Sequence, residues 1–150
     1  MLAAELWLWG MNSSQHRFIW PVRVYYEDTD SGGVVYYANY LRFMERARTE
    51  WLRSLGFEQD QLVRQDGIIF AVRHVDVGYH QPARFNDALE VSASLSRKGR
   101  ASLTFYQEVV RPMDSRTLCR GEIKVACLNM KTMRPTPIPE KIMLEIADVD

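Results

Sequence analysis

Cysteine and histidine are scarce in these 150 residues: two of the first and three of the second. Cys119 and Cys127 fall eight apart in what reads as one strand. At that spacing they share a face but stand about 26 Å apart along it, too far to bridge. Unbridged thiols suit a reducing compartment, and neither lies in a CxxC pair. His16, His74 and His80 form no cluster with metal-ligand spacing, so no metal site is expected. There is no GxSxG elbow and no phosphate-binding glycine loop with its lysine. No apolar run reaches the length of a membrane span. Neither sign of charge dominates, with 19 basic and 19 acidic residues, which excludes a dedicated nucleic-acid binder. Internal repeats and low-complexity segments are missing too. The opening Met1–Gly10 has no basic n-region and carries Glu5, so a secretory signal is not expected. Met11 and the polar Asn12-Ser13-Ser14-Gln15 resemble an ordinary start, and Met1–Gly10 is expected to be an upstream extension.

What is present is a core. Hydrophobic residues make up 47% of the chain, enough for one folded domain of this length. We expect a flexible N-terminal extension over 1–17, the domain over 18–139 and a tail over 140–150. Alternation of Trp20, Val22, Val24 and Tyr26 predicts a strand over Phe18–Glu27, with Pro21 at its start or on a sheet edge. Tyr40, Phe43, Met44, Ala47, Trp51 and Leu55 recur at helical spacing, with Gly56 as the cap. A short helix is expected over 59–64. Further strands are expected over 67–79, 88–96, 101–110 and 117–129. In the second strand Ile68, Phe70, Val72, His74 and Asp76 would share one face. In the third, Ser92 would point outward. Three prolines over 132–139 predict an extended segment, and 140–147 a last helical turn or two. A strand, a long helix and then a run of strands predicts an α+β fold, with an antiparallel sheet on one face of the helix.

The stretch from Tyr25 to Gly56 holds the chemistry. A strand leads into the acidic corner Glu27-Asp28-Thr29-Asp30-Ser31-Gly32-Gly33, and the corner leads into the helix. Unpaired N–H groups at a helix N-terminus favour negative charge. A carboxylate nearby can serve as base or nucleophile toward a carbonyl. The same residues also fit a plain turn that caps the helix, and both readings stay open on the residues alone. Gly32 and Gly33 permit positive φ and close backbone approach. Glu45 and Glu50 suit ion pairs with the helix arginines, with Glu45 the alternative reactive carboxylate. Arg97-Lys98-Gly99-Arg100 reads as a basic hairpin turn, able to hold phosphate or simply to face solvent.

The run Asp28 to Tyr37, Asp-x-Asp-x-x-Gly-x-Val-x-Tyr, followed by Ala38-Asn39-Tyr40-Leu41-Arg42-Phe43, resembles the signature of the 4-hydroxybenzoyl-CoA thioesterase branch of the hotdog superfamily. Within it, EDTDSGGVVYYANYLRFMERARTEWLR is similar to the YbgC-type acyl-CoA thioesterases, a group linked to the Tol-Pal envelope system. The likeness continues through Tyr79-His80-Gln81-Pro82-Ala83-Arg84 and covers roughly 18–139. The resemblance implies a hotdog fold, with about five antiparallel strands wrapped around one long helix, and hydrolysis of an acyl-CoA to free acid and coenzyme A. It implies Asp30 as the catalytic carboxylate, with Gly33 in the turn and the backbone N–H of Tyr37 polarising the thioester carbonyl. Asp28 would shape the loop and Asn39 would support it. Arg97, Lys98, Arg100 and Ser102, with Arg84 and Asn39, would bind the coenzyme A portion. No cofactor is implied beyond the coenzyme A of the substrate. Acyl carrier protein is a possible partner, cytoplasm the expected location, and an edge-to-edge homodimer or a homotetramer the expected assembly. Tyr37 departs from the group, many of whose members carry His there, which shifts weight to Asp30 and the helix end. The rival readings are a hotdog hydratase or dehydratase, and a non-catalytic module that binds acyl thioesters or acyl carrier protein.

Overall fold

The computed structural model describes residues 17–146; the expected extension, 1–16 of it, lies outside the described residues. Five strands form one sheet: β1 (Phe18–Arg23), β2 (Ile68–Tyr79), β3 (Ala88–Lys98), β4 (Ser102–Arg111) and β5 (Arg116–Asn129). Their order is β1-β3-β4-β5-β2, with every neighbouring pair antiparallel. Pro21 therefore sits on an edge strand, where its missing donor is tolerated. The long helix α1 (Asn39–Ser54) packs across β1, β3 and β4. Two short helices follow, α2 (Gln59–Asp66) on β2 and α3 (Glu140–Glu145). Helix and sheet meet as the α+β pattern requires.

Phe43, Met44 and Ala47 are fully buried on α1, with Trp51 and Leu52 nearly so. Each large side chain of this stripe contributes about 1.5–3 kcal/mol by leaving water. Trp51 meets Phe105 of β4 edge to face at 5.0 Å. A polar pair, Arg48 and Gln107, enters the same layer. Gln107, fully buried, accepts from Arg48 Nη1 at 3.0 Å and donates to the carbonyls of Met44 and Ser92. Arg48 is only 9% exposed, and burial pulls its guanidinium down to about 10. Leu55 takes the C-cap position of α1 and Gly56 follows it. The extended run after β5 is held by Thr136 N–H to Cys127 and Ile138 N–H to Arg100, and it brings Ile138, Ile142 and Ile146 into the core.

Three expectations need correction. The first strand stops at Arg23, not Glu27. The Asp28 carboxylate takes the Tyr25 N–H at 2.8 Å and closes a 3₁₀ turn over Tyr26–Asp28, which leaves Tyr26 80% exposed. β2 does not keep one face inward. Its pairing slips between Val72 and His74, and such a bulge exchanges the faces. Ile68 and Phe70 pack inward before it and Val77 after it, while Val72 is 53% exposed. Ser92 is buried rather than outward, because its hydroxyl accepts the Glu108 N–H at 3.0 Å. Beyond the bulge the backbones of β2 and β5 run close: a Cβ on Gly121 would lie 2.1 Å from the Asp76 carbonyl oxygen.

Candidate active site

The acidic corner is a small built structure. Asp28 is its post, buried, with its carboxylate on the Tyr25 N–H and its carbonyl accepting from Tyr36 N–H and Asn39 Nδ2. Thr29 pairs with Val35, and Val34 with Arg84. Val35 N–H donates to the Ala83 carbonyl, and Ala83 N–H donates to the Tyr40 hydroxyl at 2.9 Å. The corner is thus tied to the 80–87 loop and to the first turn of α1. Arg111 fastens that loop from behind. Its guanidinium donates to the Pro82 carbonyl and to the carboxylates of Asp87 and Asp114. These two acids hold Arg111 above its usual range, and Arg111 in turn holds Asp114 below the usual carboxylate range.

Asp30 stands exposed at the tip. Its Oδ1 accepts the Gly32 N–H at 2.8 Å, and its carbonyl accepts the Gly33 N–H at 3.0 Å. Gly33 has φ +77°, a conformation that costs a side-chain-bearing residue about 1 kcal/mol or more. Oδ2 of Asp30 has no hydrogen-bond partner among the described residues. One oxygen is anchored and the other is unbonded, on an exposed side chain.

The end of α1 beside this corner is uncapped. Ala38 at the N-cap has no side-chain acceptor, and the first turn carries no acidic residue. Among the described residues the N–H groups of Tyr37 and Ala38 have no acceptor. A cavity of about 250 Å³ opens here, lined by Val35, Tyr37, Tyr40, Tyr79, His80, Gln81 and Pro82. Its walls are aromatic: Tyr79 meets Tyr37 at 6.2 Å and Tyr40 at 5.6 Å, both edge to face. Burial raises the Tyr40 and Tyr79 phenols above their ordinary range. Unpaired amides at a positive helix end and an aromatic recess, with an exposed carboxylate in the adjoining turn, suit a neutral carbonyl compound about to gain negative charge.

A profile of the thioesterase-like superfamily matches residues 24–146. The chain belongs to the thioesterase-like superfamily. It is 44% identical over 128 residues to the acyl-CoA thioester hydrolase YbgC of Escherichia coli O6:H1, covering 85% of this chain and 94% of that protein. The acyl-CoA thioesterase YbgC of Haemophilus influenzae is 42% identical over 125 residues, 83% of this chain and 90% of that one. Among solved structures, a probable thioesterase from Bartonella henselae superposes with TM-score 0.78 at 32% identity, over 82% of this chain and 99% of its own. The hotdog architecture and the YbgC-type resemblance both hold.

In this member of the superfamily the expected site residues fall into two groups. Asp30, Gly33, Tyr37, Asn39 and Arg84 gather at the corner. The side chain of Asn39 is buried on the Asp28 carbonyl, and that of Arg84 is exposed. Arg97, Lys98, Arg100 and Ser102 lie elsewhere. β3 leaves the corner at Ala88, beside Arg23, and reaches Lys98 ten residues later, about 33 Å away. There Gly99 N–H donates to the Ser102 carbonyl, and Lys98 Nζ reaches the Ile146 carbonyl at 3.3 Å. Arg97 and Arg100 are exposed. Glu45 is midway along α1, exposed, and accepts from the Thr49 hydroxyl at 3.3 Å. With Arg48, Thr49 and Gln59 it rims a separate apolar recess of about 100 Å³. Both cysteines are free and buried, with burial pushing Cys119 up to about 12 and Cys127 up to about 11. Reading the sequence missed Arg111 and His80. Neither lies near the motif in sequence, and only the antiparallel pairing carries them to it.

Proposed function

We propose that this protein hydrolyses acyl-CoA thioesters to a free acid and coenzyme A, at the corner where Asp30 meets the N-terminus of α1. The observations that support this most directly are an exposed Asp30 whose Oδ2 is unbonded among the described residues and, further along the same corner, a Tyr37 N–H with no acceptor among them at an uncapped helix end. The Tyr37 N–H donates to the carbonyl oxygen and stabilises the charge that develops on it. A donor of this kind is worth ~10²–10³ in rate. Asp30 attacks the carbonyl carbon to give a mixed anhydride, or draws a proton from the water that attacks. Rapid-quench single-turnover hydrolysis separates the two, since only the anhydride route releases thiol ahead of free acid and leaves the acyl group on Asp30 in between. Coenzyme A enters as part of the substrate, and the chemistry as written takes no other cofactor. Thiol release from a panel of acetyl-, butyryl-, octanoyl- and benzoyl-CoA tests the activity itself. The same panel on acyl carrier protein tests that carrier.

Two copies complete the site in this reading. The basic turn stands about 33 Å from the corner of its own chain, so the coenzyme A phosphates of one site are held by Arg97, Lys98 and Arg100 of a second copy. The edge strand β2, with Val72 and Val75 exposed, is the side on which copies join. Light scattering that shows only monomer at assay concentration would overturn the shared site. We place the enzyme in the cytoplasm. Its two unbridged thiols fit that placement, and no helix among the described residues is long and apolar enough to cross a membrane.

A further inference from the structure

We infer that His80 is a second catalytic residue of this site: its imidazole removes the proton from water, which leaves the Asp30 carboxylate free to attack the thioester. The inference rests on the reading above, that the α1 N-terminus receives the thioester carbonyl.

Three observations carry it. His80 lines the same cavity as Tyr37, whose free amide marks where the carbonyl binds. Its backbone is fixed: the N–H groups of His80 and Gln81 both donate to the Leu118 carbonyl, at 2.8 and 3.2 Å, as the chain leaves β2. Its imidazole lies back over Gly78, where Cε1 and Nε2 would be 3.6 and 3.8 Å from a Cβ that Gly78 lacks. Neither ring nitrogen has a hydrogen-bond partner among the described residues. This is an imidazole on an anchored backbone, with both nitrogens unbonded among the described residues, lining an aromatic recess.

The groups around it do not compete for the task. Tyr37 and Tyr40 come from the corner and α1, and Tyr79 from β2 itself. Cys119 of β5 lies behind Tyr79, its thiol pushed up to about 12. Arg111 and Asp87 sit beyond Pro82 and are committed to each other at 3.0 Å. Phenols and a buried thiol stay protonated near neutrality, whereas imidazole is the side-chain type that exchanges a proton between pH 5 and 8.

The steps balance. Asp30 Oδ2 bonds to the carbonyl carbon, the C–S bond breaks, and the thiolate of coenzyme A leaves with the electron pair. Neutral His80 then takes one proton from a water whose oxygen attacks the acyl carbon of the anhydride. The acyl–oxygen bond to Asp30 breaks and restores the carboxylate. The imidazolium passes its proton to the thiolate, so thioester and water become acid and thiol.

The test is His80→Gln, with His80→Asn as a second variant and His74→Gln as a control on the exposed part of the same strand. Each is assayed for thiol release from the acyl-CoA of the panel that the wild type cleaves fastest. Both His80 variants should lose about 10²–10³ in kcat, within the usual range for a general base. They should keep a burst of thiol equal to the enzyme concentration and lose the acid limb of the pH–rate profile. His74→Gln should match the wild type. An imidazole NMR signal of His80, but not of His74, should shift when a non-hydrolysable acyl-CoA thioether is added. A His80 variant with wild-type kcat and an unchanged acid limb overturns the inference and leaves thioester hydrolysis standing. An unmoved His80 signal under saturating thioether also overturns it. A wild type that releases no thiol from any acyl-CoA overturns both.

Discussion

The two ends of α1 are finished in opposite ways. At the C-terminal end Leu55, Gly56 and Phe57 donate back to the carbonyls of Leu52 and Arg53. Ser54 Oγ closes on the Trp51 carbonyl, and Arg53 pairs with Glu50 and Glu58. Almost every group there has a partner. At the N-terminal end Ala38 supplies no cap, the first turn has no acid, and the Tyr37 and Ala38 amides have no acceptor among the described residues. Tyr37 is 61% exposed. A capping side chain is worth about 1 kcal/mol, and this sequence does without it at the end beside the acidic corner. The closed end supports the fold, and the open end is the one that the proposed function uses.

The largest expected effect falls on the open end. Asp30→Asn should cut turnover by about 10³ or more with stability unchanged, because the Asn oxygen can still accept the Gly32 N–H. Near-native turnover would sever the carboxylate from the chemistry. The closed region answers in stability instead. Gln107→Leu removes the hydrogen-bond acceptor that the buried Arg48 has among the described residues and should cost on the order of 3 kcal/mol in urea unfolding. A smaller change crosses the two behaviours. Ala38→Asp puts a negative charge at the open end, and it should add about 0.5–1 kcal/mol of stability while lowering kcat/KM about tenfold. A gain in both would mean that the end is open for some reason other than binding.

The smallest effect concerns the core thiols. Cys119 and Cys127 have folded-state values near 12 and 11, against an ordinary 9.0. The native state therefore holds its thiol protons longer than the unfolded chain does. The resulting stability is fully present below about pH 9 and is lost as pH rises through 11 and 12. A thiol reagent at pH 8 should label neither cysteine until the protein is unfolded. Prompt labelling would show that the core around them opens.

Much of the fold was legible because its signals are local. Alternation marked the strands, a 3.6-residue stripe marked α1, and Pro21 declared an edge. The Asp-x-Asp-x-x-Gly run marked the corner at the start of α1, which the structure shows as a tied turn. The misreadings have physical causes. β1 ends early because one carboxylate, on Asp28, outbids the ladder for the Tyr25 N–H. β2 exchanges faces because one extra residue, Arg73, enters the pairing without a partner, and alternation cannot reveal a bulge. Arg111 and His80 joined the corner through the β4 and β2 ends. The basic turn was carried away from it along β3. Sheet order decides such placements, and residue types along a single strand do not encode it.

The most direct test is a crystal structure with a non-hydrolysable ketone analogue of acyl-CoA. The ketone oxygen should lie about 3 Å from the Tyr37 nitrogen, and its carbon about 3–3.5 Å from Asp30 Oδ2. An analogue whose ketone lies in the recess beside Glu45 and Arg48, away from both groups, would contradict this account.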